Sequence, residues 1–254
     1  MSKIKGLWIA YLVVVALTLS VTAQQRSTQG GKYDQQIQQE ITKSLQKDKF
    51  QNVRATVEDG VITLQGTTKL LIDKLDADKK AHHVDHVQGV NNLIQVEGNV
   101  SDSQLRSQLA DKLRYDRVGY GIAFNALNLE VNNGVVTISG NVRDYPSRDS
   151  ALAIVASTPG VKEVVDNITV APTSLFDDDL RIKLARAIYG QPSLQRYAID
   201  PQAPIRIVVN NGHVTLYGVV DSQMDKTIAE TQAKSVPGVF SVDDKLVVAN
   251  QQPK

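Results

Sequence analysis

The sequence predicts an α+β fold built as three tandem two-layer modules. Each module runs helix–strand–strand–helix–strand, with a three-stranded sheet and two helices on one face. Three observations predict it. A ten-residue segment occurs three times, as Val57-Glu58-Asp59-Gly60-Val61-Ile62-Thr63-Leu64-Gln65-Gly66, as Val131-Asn132-Asn133-Gly134-Val135-Val136-Thr137-Ile138-Ser139-Gly140, and as Val209-Asn210-Asn211-Gly212-His213-Val214-Thr215-Leu216-Tyr217-Gly218. The turn glycines Gly60, Gly134 and Gly212 stand 74 and then 78 residues apart. Around each copy the apolar period changes from helical to extended and back. A unit repeated in this way is a structural module.

The chain opens on Lys3 and Lys5, an apolar run from Leu7 to Val21, and the small residues of Val21-Thr22-Ala23. That order predicts a secretory signal over residues 1–23, cut after Ala23. The run is shorter than the roughly 20 residues that span a bilayer. Residues 24–32, rich in Gln, Ser, Thr and Gly, are expected to form a flexible tether. There is no cysteine, so neither a lipid-attachment thiol nor a disulfide framework is expected. The predicted location is the periplasm or exterior. The formal charge of +1 becomes −1 without the two leader lysines. Such a balance predicts no nucleic-acid partner, which would need a basic face.

The modules are expected over residues 33–97, 102–171 and 177–249. Each begins with a helical stripe: Ile37, Ile41 and Leu45; Leu105, Leu109 and Leu113; Leu180, Leu184 and Ile188. Residues four apart share a helix face, so each stripe marks a buried side. Ser101-Asp102 and Asp177-Asp178-Asp179 precede the second and third stripes and suit the positive helix end. No further oxygen ligands follow the acidic triplet at calcium-loop spacing, so capping is the reading adopted.

Alternation follows. Val53, Ala55 and Val57, then Leu127, Leu129 and Val131, then Ile205, Ile207 and Val209 each point one way. Ile62 and Leu64, Val136 and Ile138, and Val214 and Leu216 continue the pattern after an Asp-Gly or Asn-Gly turn, which predicts a hairpin. Gly66, Gly140 and Gly218 are expected to end the second strand and to permit close backbone approach or a sharp exit. A second helix carries Ala77 and Ala81, Ala151 and Val155, or Ala229 and Ala233 against the sheet. It stops at Pro159-Gly160 and Pro237-Gly238. Asp85-His86 stands in that place in the first module, so a different helix exit is expected there. The third strand brings Val87, Val90, Ile94 and Val96, then Val161, Val164, Ile168 and Val170, then Val239, Val242, Leu246 and Val248. Cores this small are marginal alone, and packing between modules is expected. Short linkers, Gly98 to Ser101 and Ala171 to Phe176, join them.

Taken together, the x-Gly-Val-(Val/Ile)-Thr-(Leu/Ile)-x-Gly hairpins, Pro-Gly-Val at Pro159 and Pro237, and Val-x-Asp-x-(Ile/Leu)-x-Val from Val164 and Val242 resemble the BON domain. The resemblance extends over nearly all of the expected mature chain. It implies a secreted or periplasmic module without catalysis. It also implies attachment to phospholipid or to envelope proteins, often in stress-protective settings.

Candidate chemistry is sparse. His82, His83 and His86 cluster at a helix end, where His82 and His86 could suit a transition metal. Cationic histidine also suits the negative end of a helix dipole, and no second ligand group accompanies them, so no metal site is assigned. Ser139 replaces Gln65 and Tyr217 of the sister copies and is read as a strand residue. Gly119-Tyr120-Gly121 lacks the following helix start of a phosphate loop. No enzyme and no cofactor are expected.

Differences between copies point to the interaction surface. On the second helix, Asp78 and Glu230 become Leu152, Lys80 and Gln232 become Ile154, and Lys79 and Thr231 become Ala153. Surplus apolar residues on a polar face predict contact with lipid or with a sister module. Phe240 replaces Gln88 and Lys162 and is expected to be exposed. Tyr145 is assigned to the same lipid- or partner-binding set. The links before the first strand lengthen along the chain, and they carry Tyr115, Tyr120 and Phe124, then Tyr189 and Tyr197. These aromatics either cover sheet edges or bind partners. The expected function is non-catalytic binding of phospholipid membrane surfaces or envelope proteins, with a soluble holdase or assembly scaffold as the alternative.

Overall fold

Each module carries an aspartate in the first turn of its first helix, three residues before the first buried aliphatic side chain of that helix. In a computed structural model describing residues 31–114, 126–171, 174–199 and 205–249, α1 spans Asp34–Ser44 and buries Ile37 and Ile41. Strands β1 (Val53–Glu58) and β2 (Val61–Thr68) form the first hairpin. Helix α2 (Leu71–His82) leads to β3 (Gly89–Asn92) and β4 (Gln95–Val96), two segments of one interrupted third strand. The second module repeats the order with α3 (Asp102–Arg114), β5 (Ala126–Asn132), β6 (Val135–Val142), α4 (Tyr145–Ala156) and β7 (Glu163–Val170). The third has α5 (Leu175–Tyr189), a short α6 (Gln195–Ile199), β8 (Arg206–Asn210), β9 (His213–Val220), α7 (Gln223–Ser235) and β10 (Ser241–Val248).

The middle strand of every sheet is the second. It pairs antiparallel with its hairpin partner and parallel with the third strand, as in β5-β6-β7 and β8-β9-β10. The parallel partner must be reached by a crossover, and the second helix supplies it. The helices cover one face, where Ile62, Leu64, Ala77 and Ala81 fill the first core, and Val136, Ile138, Ala151 and Val155 the second. Leu216, Val214, Ala229 and Ala233 do the same in the third.

Contacts divide the described residues into two compact units. One runs through Thr67 and includes Leu75–Ile94; the other holds Thr68–Lys74 and the chain from Gln95 onward. Within the second unit, Leu71 is buried in the core around Leu105 and Val136. Arg143 Nε lies 2.9 Å from Asp178 Oδ2, and Arg206 donates to Asn128 Oδ1, joining the second and third modules. Burial pulls the Arg206 guanidinium below its ordinary pKa, and the neighbouring Tyr189 opposes that shift.

The structure alters several expectations. Gly31 and Lys32 are not tether but the start of a 3-10 turn, Gly31–Tyr33, that feeds α1. The rest of the expected tether and the expected leader, residues 1–30, lie outside the described residues, as do Tyr115, Tyr120, Phe124 and Gly119-Tyr120-Gly121. The second strands continue two residues beyond Gly66, Gly140 and Gly218. Gly66 and Gly140 are sites of close approach: a Cβ on either would sit 1.9 Å from the Asn52 carbonyl oxygen or 2.0 Å from that of Ala126. The first module leaves its second helix as the others do. His86 takes the left-handed conformation (φ 66°) of Gly160 (φ 95°) and Gly238 (φ 99°). Histidine adopts that region more readily than most side chains, so Pro-Gly is not required there.

Candidate interaction surface

The hairpin turns fix one end of every module. Both central residues have positive φ: Asp59 and Gly60, Asn133 and Gly134, Asn211 and Gly212. This is the type I′ geometry, whose twist matches the flanking strands. Successive N–H groups of such a turn converge into an anion-binding concavity. A carboxylate occupies it each time. Asp34 accepts from Asp59 at 2.9 Å and Gly60 at 2.8 Å. Asp102 accepts from Asn133 at 2.8 Å and Gly134 at 3.0 Å. Asp177 accepts from Asn211 and Gly212, both at 2.9 Å. Asp102 and Asp177, expected as helix caps, are thus clamps on the hairpin, and Asp34 is a third. Ser174 caps α5, taking the Asp177 N–H. Asp178 pairs with Arg181 and Asp179 with Lys183.

A second turn lies beside the first. Gln88, Lys162 and Phe240 donate their N–H to the carbonyls of Gly60, Gly134 and Gly212 at 2.9 Å, so each side chain lies over its turn glycine. The residue before the clamp aspartate, or two before it in the second module, lies over the left-handed residue. Tyr33 stacks on His86 with ring centroids 3.9 Å apart. Val100 faces Gly160, and Phe176 faces Gly238.

This two-turn tip has a different skin in each module: Tyr33 and Gln88, then Val100 and Lys162, then Phe176 and Phe240. In the third, Phe240 is 76% exposed, Phe176 52% and Leu175 83%. No Lys or Arg occurs among these three residues or in the turns 210–212 and 237–239. His213 lies beside Phe240, its Nδ1 2.7 Å from the Ser241 hydroxyl.

The structure redistributes the other predicted residues. Leu152 is partly buried against its own module's core, and Ile154 is also only partly exposed. Beside the buried Ala151, Val155 and Ala156, Leu152 widens the apolar stripe with which α4 meets its own core. Tyr145 is 68% exposed at the first position of α4, away from the two turns in sequence and in fold. Tyr189 donates to the Ile205 carbonyl, and burial raises its phenol well above the usual value. The Tyr197 hydroxyl contacts the Asp225 carboxylate at 2.9 Å and accepts the Asp221 N–H at 2.8 Å. Both rings are part of the third module's packing. His82 and His83 turn Nδ1 back to the Asp78 and Lys79 carbonyls at 3.0 and 2.7 Å. Among the described residues no group of three or more His, Cys, Asp or Glu side chains is arranged to hold a metal.

The BON domain family model matches residues 33–98, 101–172 and 177–250. The chain belongs to the BON domain family. A relative of this BON-domain chain is osmotically-inducible protein Y of Escherichia coli, 27% identical over 131 residues. That match covers 47% of this chain and 60% of the relative, so the chain spans less than two thirds of the relative's length. CdsD, a structural protein of the type III secretion system of Chlamydia trachomatis, is similar at 16% identity, covering 83% of this chain and 90% of that one, with a TM-score of 0.25. The periplasmic domain of PrgH is similar at 10% identity, covering 78% and 95%, with a TM-score of 0.21. Scores this low carry no argument about the BON-domain chain. Among its described residues, no helix is long and apolar enough to cross a membrane.

Proposed function

We propose that this chain is a non-catalytic, periplasmic envelope protein that engages phospholipid surfaces through the tip of its third module. One observation carries the reading: Leu175, Phe176 and Phe240 stand exposed around two tight turns. The sheet and the Asp177 clamp hold those turns, so the aromatic rings are presented without an ordering cost to the backbone. Aromatic side chains at a rigid protrusion suit the boundary between headgroups and acyl chains. With no Lys or Arg at the tip, apolar insertion supplies the binding and salt has little effect on it. The resemblance to osmotically-inducible protein Y supports an osmotic-stress setting for this function.

The test is co-sedimentation of the chain from Gln24 onward with phosphatidylethanolamine–phosphatidylglycerol vesicles. Burying one phenylalanine is worth about 1.5–3 kcal/mol. Phe176→Ser with Phe240→Ser is therefore expected to lower partitioning at least about tenfold. Equal partitioning of the double variant overturns the proposal. Suppression of client aggregation with no vesicle binding at all selects the holdase reading instead.

A further inference from the structure

The helical face of the first module carries a groove that the tip does not explain. It has a volume of about 690 Å³ and is lined by Glu40, Lys43, Ser44 and Lys47 from α1 and its exit, and by Asp76, Lys79, Lys80, His83 and Val84 from α2 and its exit. Four lysines thus face two carboxylates. Lys49 already neutralises one of these, its Nζ lying 2.7 Å from Asp76 Oδ2. Lys49, then the charges of Lys80 and Lys47, hold the Asp76 carboxyl below its usual value against the opposing effect of burial. The ammonium groups of Lys43, Lys47, Lys79 and Lys80 close no ion pair or hydrogen bond among the described residues.

We propose that this groove docks an acidic segment of another protein. A lysine in the last turn of a helix ordinarily complements the negative helix end. That accounts for single lysines, but not for four that converge from two elements. The second helices of the sister modules lack the basic residues of this ridge. At the positions of Asp76, Lys79, Lys80 and His83 they carry Ser150, Ala153, Ile154 and Ser157, or Ile228, Thr231, Gln232 and Ser235. The ridge therefore belongs to the first module's surface and not to the architecture.

The arrangement also selects the ligand class. A phosphate cradle gathers backbone N–H groups, a helix N-terminus or a guanidinium fork on one point. Here the cations are spread over two helices and an exit, Lys43 and Lys47 at the end of α1 and Lys79 and Lys80 on α2, with Glu40 among them. Carboxylates spaced along a peptide match that spread. The lysine stems and Val84 offer apolar contact to the side chains between them.

The test uses the chain from Gln24 onward and a 16-residue amphipathic peptide bearing Glu at i, i+3 and i+4 spacing, with a Gln-for-Glu peptide as control. Amide NMR shifts are expected at residues 40–47 and 76–84. Lys79→Glu with Lys80→Glu should weaken binding at least tenfold, as should raising salt from about 50 to about 300 mM. Lys79→Gln with Lys80→Gln, which keeps the helix propensity, should weaken it severalfold with unchanged thermal unfolding. Absence of shifts at these residues overturns the proposal, as does peptide binding that both lysine variants retain. Shifts produced there by phosphatidylglycerol vesicles but not by the peptide overturn it in favour of a lipid face.

Discussion

Asp177, on α5, accepts the backbone N–H groups of both Asn211 and Gly212, one on each carboxylate oxygen, across 34 and 35 residues of chain. The same bidentate grip joins Asp34 to residues 59 and 60, and Asp102 to residues 133 and 134. It ties the first helix to the hairpin and holds the tip that presents Phe240. Asp177 is only 3% exposed, and its removal strands the buried Gly212 amide donor away from water. Asp177→Ala is expected to cost about 2–3 kcal/mol in urea unfolding. Asp34→Ala should cost less, because Asp34 is partly exposed and water replaces the lost acceptor. Equal, negligible losses at both sites would contradict the clamp.

Gly140 has φ 110°, and its missing Cβ would overlap the Ala126 carbonyl oxygen. Adjacent strands cannot separate there without breaking the Leu127–Gly140 pairing. Gly140→Ala should destabilise the protein by about 3 kcal/mol, combining strained dihedrals with displaced backbone. Chemical denaturation measures it, and a loss below about 0.5 kcal/mol is ruled out by this geometry.

Two carboxyls give a pH signature. Lys49 holds Asp76 low. Burial opposes the shift at Asp144, yet the Ser147 hydroxyl and N–H and the Arg143 charge bring it below 3.8. A depressed folded-state pKa stabilises above the unfolded value and loses that stabilisation as pH falls through the folded one. The gap in unfolding free energy between the wild type and Asp76→Asn should therefore be open at pH 6 and close below about pH 4. A gap that widens with acid would refute the assignment. The pair is near the surface, so the gap is about 0.5–1 kcal/mol.

His86 offers a comparison between copies. It holds a left-handed backbone and stacks on Tyr33, while Gly160 holds the same backbone beneath Val100. His86→Gly relieves strain and loses the stack, and the two effects of about 1 kcal/mol each offset. Gly160→His has no such compensation, since its Cβ would lie 2.8 Å from Val100. Thermal unfolding should show little change for the first and a clear loss for the second; the reverse order would contradict the packing described.

The repeat made the architecture legible, because glycine turns, apolar stripes and small-residue helices each obey a local rule. The clamp was hidden by a sufficient local explanation: an aspartate near a helix start already suits the dipole. Its signature was nevertheless present, since Asp34, Asp102 and Asp177 each stand three residues before Ile37, Leu105 and Leu180. Phe240 could be found by comparing copies position by position. Phe176 could not, because the second module uses Val100, one residue further from its aspartate, for the same contact. Leu152 is partly buried against its own core, since an apolar substitution on a helix can widen a buried stripe as well as add to a surface. The lysine groove joins residues from two helices separated by the whole hairpin, which no single window of sequence contains.

The most direct test of membrane engagement by the third tip is the fluorescence of Phe240→Trp. The only natural tryptophan is Trp8, so the chain from Gln24 onward reports from position 240 alone. The account predicts a blue-shifted emission on adding vesicles, quenched by lipids brominated near the headgroup end of the acyl chain and insensitive to salt. Emission that stays at its aqueous wavelength while the protein sediments with vesicles would contradict it.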